Sequence, residues 1–326
     1  MSALPGLDLE RLGDYLGWGP LQAEAVVGGR SNLTYLITRM SDGCKWILRR
    51  PPLGPIPPTA HDVAREYRVM TALGGTGVPV PRTELLCTDV TVLAAPFSIV
   101  EFVVGTPYRT AEELAVLGRV RTRAIAYAMV DALAGLHSVD PSAVGLADLG
   151  RSAGYLPRQL RRWSRQRESC DGDVPPGSDE LLADLAAALP DAPSAAIVHG
   201  DYRLDNVLIH QDRVNAVLDF ELSTLGDPLT DLGLLIAHAG RTDDAMPNVA
   251  DAPGYPSSAE VIARYAESSG RDVSGIAWYV AFGYFKLSVI AQTVYHRSLR
   301  AGCDDDTFRV LAASAAKQGR AVLEES

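Results

Sequence analysis

The residues that could do chemistry are concentrated in two short stretches in the second half of the chain. The first is VHGDYRLDNVLIH, residues 198–210, where a His, a Gly, two Asp, an Arg and an Asn lie between apolar runs. The second is VNAVLDFELSTLGDPLTDLG, residues 214–233, where Asp219 ends an apolar strand. Polar residues between two buried strands must lie on a tight loop or find hydrogen-bond partners. Each stretch therefore calls for a structural or a chemical explanation.

Three side chains of these stretches match the requirements of phosphoryl transfer. Such a site needs a carboxylate that orients or deprotonates the attacking hydroxyl, oxygen ligands for Mg²⁺, and a cation on the phosphates. Asn206 follows Asp201 by five positions, and Asp219 follows it by eighteen. A loop that returns through a short hairpin would bring the three together. An isolated HGD is common in turns, but the spacing to Asn206 and Asp219 favours the catalytic interpretation.

HGDxxxxN followed by DFE resembles the catalytic loop and the metal-binding Asp of the aminoglycoside phosphotransferase family, which is similar in fold to the protein kinases. The resemblance implies that His199 anchors the loop, Asp201 is the catalytic base, and Asn206 and Asp219 hold Mg²⁺. Asp231 resembles the buried Asp that ties the loop to the following helix, a role compatible with a helix N-cap. The expected activity is transfer of the γ-phosphate of ATP to a hydroxyl of a small molecule.

The elements that must position these residues change character at Gly105. Residues 1–105 contain the strand-like segments AEAVVGG, NLTYLITR, KWILRR, RTELLCTD and FSIVEFVVG, and a helix predicted over 60–73. Residues 106–326 are mainly helical, with one long helix predicted over 111–137. We therefore expect an α+β, two-lobed protein-kinase-like fold. A small antiparallel, nucleotide-binding N-lobe (1–105) precedes a larger helical C-lobe (106–326) that carries the catalytic and metal-binding loops.

The predicted third strand, KWILRR, supplies the cation that a kinase-like N-lobe needs. Strand alternation places Lys45, Ile47 and Arg49 on one face. Arg49 lies where the family motif has its phosphate-binding Lys, a departure because Arg binds phosphate as a rigid fork. Glu66, on the predicted helix, is the expected partner of Arg49.

Two further segments resemble nucleotide-binding elements of the family. VGGRSNLTY, which contains Ser31 and Asn32, lies between the first two strands, where a phosphate-covering loop belongs, although it is not G-x-G-x-x-G. IVEFVVG resembles the hinge, with Glu101 and Val103 offering backbone groups to adenine.

Departures from the protein-kinase pattern point to a small-molecule acceptor. Glu221 stands where protein kinases have Gly, and the short segment between Asp219 and Pro228 leaves no room for a phosphorylated activation loop. LRRPP, REYRVM and STLGDPLTDLG look most like a branch also fused to acyl-CoA dehydrogenases, which is associated with hydroxyacyl substrates. Three alternatives stay open: an aminoglycoside-like acceptor, a hydroxyacyl or hydroxyacyl-CoA acceptor, and a nucleotide-binding pseudokinase without catalysis.

Composition narrows the function classes further. The net charge of −10 argues against a nucleic-acid partner. No apolar run is long enough for a bilayer, and the N-terminus lacks signal-peptide features, so we expect a cytoplasmic protein without a membrane partner. The four Cys are far apart, which suggests neither a zinc site nor a disulfide framework. The oligomeric state cannot be read from the sequence.

Overall fold

The computed structural model describes residues 4–26, 32–54, 62–170, 174–191, 195–243, 246–303 and 305–325. The chain forms two compact units, Met1–Gly105 with Asn215–Ser223, and Thr106–Val214 with Thr224–Ser326. The first division falls between residues 105 and 106. The assignment of 215–223 differs from the prediction that all of 106–326 belongs to one lobe. A prediction from sequence divides the chain at a single position, whereas residues 215–223 return to pack within the smaller unit.

The smaller unit is built on a five-stranded antiparallel sheet with the strand order β1-β2-β3-β5-β4. Its elements are α1 (Leu9–Leu16), β1 (Leu21–Ala25), β2 (Leu33–Arg39), β3 (Lys45–Arg50), α2 (Val63–Leu73), β4 (Thr83–Cys87), α3 (Val90–Leu93) and β5 (Phe97–Glu101).

The two faces of β3 lie in different surroundings, as the strand alternation predicts. Leu48 is fully buried in an apolar cluster with Leu12, Tyr35 and Ile99. Arg50, on the same face as Leu48, is buried and donates to the carbonyl oxygen of Leu93 over 2.8 Å. Arg50 is therefore a structural residue, and the opposite face is left to carry Arg49.

The larger unit is mainly helical. Its elements are α4 (Ala111–Ala115), α5 (Arg119–Ser138), α6 (Tyr155–Glu168), α7 (Ser178–Ala187), β6 (Ala196–Val198), β7 (Val207–His210), β8 (Arg213–Val217), β9 (Thr224–Gly226), α8 (Leu229–Ala239), α9 (Ser258–Ser269), α10 (Ile276–Arg300) and α11 (Thr307–Glu324). Strand β8 begins in this unit and leads the chain into the segment that belongs to the smaller one. Within the described ranges, no helix combines the length and the apolar composition that a membrane crossing requires.

The single helix predicted over 111–137 is wrong, because the chain forms two helices there. Thr110 and Glu113 make a capping box that starts α4. Gly118 has φ +83°, a conformation outside the helical region that glycine adopts without a Cβ clash. The apolar periodicity continues across this break, which is why the pattern alone suggested one helix.

Helices α8 and α10 cross at very short range. A Cβ at Gly233 of α8 would lie 2.3 Å from the carbonyl oxygen of Tyr279 on α10. A Cβ at Gly283 would lie 2.8 Å from the carbonyl oxygen of Gly233. Because neither glycine has a side chain, the two backbones can approach closely. This approach brings the middle of α10 toward the loop that follows β6.

Candidate active site

The loop after β6 is rigid because its own side chains brace it. His199 is fully buried, and its Nδ1 accepts from the backbone N–H of Asp201 over 3.2 Å. The His199 ring packs edge-on against Tyr202, with 5.6 Å between ring centroids. Tyr202 donates its hydroxyl to the carbonyl of Met129 on α5 over 2.7 Å. The loop is thereby attached to α5 on one side of Asp201.

Asp231, near the start of α8, binds the backbone of the same loop. Its Oδ2 accepts from the backbone N–H of His199 over 2.6 Å, and its Oδ1 accepts from that of Gly200 over 2.8 Å. Burial alone would raise the pKa of this carboxyl, but the hydrogen bonds from His137 and from the Gly200 N–H outweigh burial and lower it. The carboxylate is therefore ionised at neutral pH.

His137 completes the support of Asp231. Its Nε2 lies 3.1 Å from Asp231 Oδ2, and its Nδ1 lies 2.7 Å from the Tyr265 hydroxyl. Burial lowers the pKa of His137, so the ring is neutral at pH 7. Because an ionised carboxylate only accepts, Nε2 carries the proton and Nδ1 accepts from Tyr265. The chain Tyr265–His137–Asp231 fixes the carboxylate in one orientation.

Asn206 lies directly against Asp201. Its Nδ2 donates to the Asp201 carbonyl oxygen over 2.9 Å and to Asp201 Oδ2 over 3.1 Å. With both amide hydrogens directed at Asp201, the amide oxygen Oδ1 accepts no hydrogen bond from the residues that the structure describes. The structure thus brings together Asp201 and Asn206, and it leaves a hard oxygen donor next to a carboxylate.

The smaller unit assembles a second group of predicted residues. Arg49 forms a buried ion pair with Glu66, and its Nη2 lies 3.2 Å from Asp219 Oδ1. Burial raises the pKa of the Glu66 carboxyl to about 7; Arg49 opposes this, while Asp219 and Glu221 add to it. Burial would lower the pKa of Arg49, but the surrounding carboxylates raise it above its ordinary value. The predicted pairing of Arg49 with Glu66 is present.

Asp219 has a strained backbone. Its φ of 67° and ψ of 58° lie in the left-handed region, which costs a residue other than glycine about 1–3 kcal/mol. The next turn, Phe220–Leu222, packs against α2. Such strain persists only when the surroundings impose it, and it concentrates at functional sites. Of the Asp219 side chain, 26% is exposed, so one carboxylate oxygen remains available for a ligand.

The other residues predicted to bind the nucleotide lie in different surroundings. Asn32 is buried and donates to Oε2 of Glu221, two positions after Asp219, over 3.3 Å. Ser31 lies outside the described residues. The N–H of Glu101 donates to Arg82, so it is used within the smaller unit and is not available to a base. Val103 follows the end of β5 and makes no backbone hydrogen bond to another residue in the described ranges.

Three residues that sequence reasoning did not assign to the site lie in it. His137 has no sequence spacing that connects it to Asp231, from which it is 94 positions away. Asp227 accepts from the Tyr279 hydroxyl over 2.7 Å and from the N–H of Leu229 at the start of α8 over 3.0 Å. Lys286, on α10, donates to the carbonyl of Gly200 over 3.1 Å. A charge inside the apolar run FGYFKLSVIA was the signal that could have identified Lys286.

A sequence model of the phosphotransferase enzyme family matches residues 22–268. The chain belongs to this family. The family resemblance predicted from HGDxxxxN and DFE is thus confirmed, and the chain is a phosphotransferase-family protein with a two-lobed protein-kinase-like fold.

Individual relatives support the same assignment. Acyl-CoA dehydrogenase family member 10 of Mus musculus is 36% identical over 290 residues, which cover 86% of this chain and 27% of that protein. The chain therefore spans little more than a quarter of that relative's length. The predicted link to the branch that accompanies acyl-CoA dehydrogenases is confirmed by this match.

Solved structures agree with the fold. The crystal structure of a candidate aminoglycoside phosphotransferase from Ralstonia eutropha JMP134 is 32% identical, with a TM-score of 0.84 and 98% of each chain covered. A thermostable mutant of aminoglycoside phosphotransferase APH(4)-Ia, in a ternary complex with AMP-PNP and hygromycin B, has a TM-score of 0.64 at 15% identity, with 98% of each chain covered. The second likeness concerns the fold alone.

Proposed function

We propose that this protein transfers the γ-phosphate of ATP to a hydroxyl group of a small molecule. The observation that carries the proposal is the construction of the loop around Asp201. The side chains of Asp231 and His199 accept hydrogen bonds from the backbone of this loop, and Asn206 donates directly to the Asp201 carboxylate. Such preorganisation positions a carboxylate to accept or orient a hydroxyl proton, which is the main task that a protein has in phosphoryl transfer.

Asp201 is assigned to orient the acceptor hydroxyl and take its proton. Its carboxylate is oriented by the Asn206 amide, while its backbone N–H is held by His199. Loss of that proton makes the acceptor oxygen more nucleophilic as it attacks the γ-phosphorus in line with the leaving ADP oxygen. General-base groups positioned in this way typically contribute about 10²–10⁴-fold to a rate.

Arg49 is assigned to the nucleotide phosphates, with Glu66 as the residue that holds it. The guanidinium is fixed between two carboxylates, so it is directed before any nucleotide arrives. Arg and phosphate form bidentate hydrogen bonds, which makes Arg a competent replacement for the Lys of the family motif. Val103, whose backbone groups bond to no other residue among those that the structure describes, is assigned to adenine.

The chemistry of the two predicted ligands suits a magnesium ion. Asn206 offers an amide oxygen and Asp219 a carboxylate oxygen, both hard ligands of the kind that Mg²⁺ prefers when it is bound together with phosphates. We assign these two residues to the ion that accompanies the nucleotide. When bound, the metal neutralises phosphate charge. The APH(4)-Ia mutant, which shares the fold, is in a complex with AMP-PNP, and this supports a nucleotide as the phosphate donor.

A hydroxyacyl acceptor is the second candidate, and the charges of the larger unit favour it over a polycationic aminoglycoside. Burial holds the pKa of His238 well below its ordinary value, and the positive charges of Arg203, Arg241 and Lys286 add to that effect. Lys286 also lies close enough to Asp201 for their charges to interact. The positive charge of Lys286 near Asp201 repels ammonium groups and attracts carboxylate or phosphate groups.

The deciding experiment is a coupled ADP-release assay with Mg-ATP and a panel of acceptors. Kanamycin represents the aminoglycosides, and 4-hydroxyacyl compounds, free and as CoA thioesters, represent the other class. Acceptor-dependent ADP release that disappears in Asp201→Asn is expected. Turnover of kanamycin alone would reject the hydroxyacyl candidate. Tight binding of Mg-ATP without turnover of any acceptor would instead indicate the pseudokinase alternative.

A further inference from the structure

Lys286 is a single charge in the apolar middle of α10. Its neighbours Phe285 and Leu287 are buried, and Lys286 itself is only 9% exposed. Lysine is rarely buried unless it is paired, because removing an ammonium group from water costs free energy. The residue therefore needs partners that compensate for its burial.

The partners of Lys286 belong to the catalytic loop and to α6. Its Nζ donates to the carbonyl oxygen of Gly200 over 3.1 Å and lies 5.3 Å from the centroid of the Trp163 ring. The N–H of Gly200 is donated to Asp231. The two peptide groups on either side of the Gly200 Cα are thus each held by a charged side chain.

This arrangement fixes the backbone from which Asp201 projects. Gly200 has φ +88°, a conformation that depends on glycine. A flexible glycine immediately before a reacting residue would let that residue swing. Asp231 restrains the peptide before Gly200 and Lys286 restrains the peptide after it, so the swing is blocked on both sides.

The charges that face Lys286 come from three elements. Asp201 on the loop and Asp231 on α8 are negative, whereas Arg162 on α6 is positive, and His238 on α8 is neutral because its pKa is low. Burial lowers the pKa of Lys286, Asp201 and Asp231 oppose this, and Arg162 adds to it. The ammonium form that makes the Gly200 bond is therefore lost at a lower pH than in a free lysine.

We propose that Lys286 is a positioning residue for Asp201: its ammonium group holds the Gly200 carbonyl and thereby sets the direction of the Asp201 side chain. The inference rests on the proposed function for its kinetic consequence. Its structural consequence, an ordered loop, is independent of that function.

The first test compares Lys286→Met with Lys286→Arg, and uses Lys317→Met, at an exposed position of α11, as the matched control. In Lys286→Met we expect kcat to fall about 10- to 100-fold, the factor associated with one hydrogen bond from a charged donor, with KM for ATP changed less than about twofold. Lys286→Arg should recover part of the loss. A kcat for Lys286→Met within about threefold of wild type would overturn the proposal.

The second test needs no turnover. Hydrogen exchange of peptides covering residues 199–206 should be about tenfold faster in Lys286→Met, while peptides of α11 stay unchanged. Unchanged exchange of the loop would overturn the proposal. Faster loop exchange together with a wild-type protein that phosphorylates no acceptor would reject the proposed function and leave the loop role standing.

The third test follows titration in the wild-type protein, so it does not depend on a variant that folds. The chain has three lysines, Lys45, Lys286 and Lys317, so ¹³C-labelled lysine gives three resolvable signals. We expect the Lys286 signal to titrate below the ordinary lysine value of about 10.4, and turnover to fall over the same pH range. Turnover that is flat across the titration of Lys286 would contradict the proposal.

Discussion

Replacing Asp231 with Asn should destabilise the larger unit strongly, although the two side chains have nearly the same size and shape. The carboxylate is 1% exposed and accepts from the backbone N–H groups of His199 and Gly200 and from the His137 ring. An Asn amide offers one oxygen to these donors and directs its own N–H groups at the rest. At least one buried donor therefore loses its acceptor.

The expected loss is about 3–5 kcal/mol in the free energy of unfolding. Each hydrogen bond to a charged acceptor contributes about 1.5–3 kcal/mol, and breaking a buried charged network by removing one partner costs about 3–5 kcal/mol. Because a folded domain is stable by only about 5–15 kcal/mol, the variant should unfold at a much lower denaturant concentration. The loop around Asp201 should lose order at the same time, so turnover should fall as well.

Guanidinium chloride unfolding at pH 7.5 measures the effect, with Asp212→Asn as the matched control. Asp212 pairs with Arg121 at the surface, where the side chains are 30% and 49% exposed, so the same chemical change should cost less than about 1 kcal/mol there. The pKa of Asp231 is lowered on folding, so its stabilisation is present above the unfolded value and is lost as the pH falls through the folded value. The difference between wild type and Asp231→Asn should therefore shrink below about pH 4. A loss in Asp231→Asn no larger than in Asp212→Asn would refute the reasoning.

Three further predictions concern the nucleotide and the reaction. Asp219→Asn should abolish Mg²⁺-dependent nucleotide binding in calorimetry, whereas Asp201→Asn should bind Mg-ATP normally and lose turnover; normal Mg-ATP binding by the Asp219 variant would reject the metal assignment. Arg49→Ala should raise the Kd for ATP at least about tenfold, the loss of one charge-assisted contact, and Lys45→Ala, at an exposed position, should leave it nearly unchanged; equal effects would refute the assignment of the cation. Burial raises the pKa of Glu66 to about 7 on folding. The stability that the protonated Glu66 side chain contributes is therefore complete below the unfolded pKa of about 4.3 and is lost as the pH rises through about 7. Chemical unfolding from pH 5 to 8 should show this decline in the free energy of unfolding, and Glu66→Gln should remove it.

Two residues of the proposed site could be recognised in the sequence because they lie close together along the chain. Asp201 and Asn206 are five positions apart, and the contact between them follows from a single turn of the loop. The alternation of β3 likewise separated Arg49 from Arg50 without any tertiary information, since successive side chains of a strand point to opposite faces. Short-range geometry of this kind follows from covalent bonding and local hydrogen bonds.

The tertiary structure alone decided which distant residues hold these groups. His137 meets Asp231 across 94 positions, and Lys286 meets Gly200 across 86. Neither separation follows from a periodicity of 3.6 or 2 residues, because such contacts depend on how whole helices cross. The close approach of α8 and α10 at Gly233 and Gly283 provides the crossing that brings Lys286 to the loop.

The break between α4 and α5 is a further feature that could not be predicted from the sequence. The apolar stripe from 111 to 137 is continuous in sequence, and Gly118 by itself is compatible with a helix interior. Its left-handed backbone arises from the way the chain turns between two packed helices. The sequence by itself thus determined the family and the residue types available to the proposed site, since these depend on residue type and local spacing. The tertiary structure decided the supports of the site and the segment that returns to the smaller unit, because these depend on packing between residues far apart in the chain.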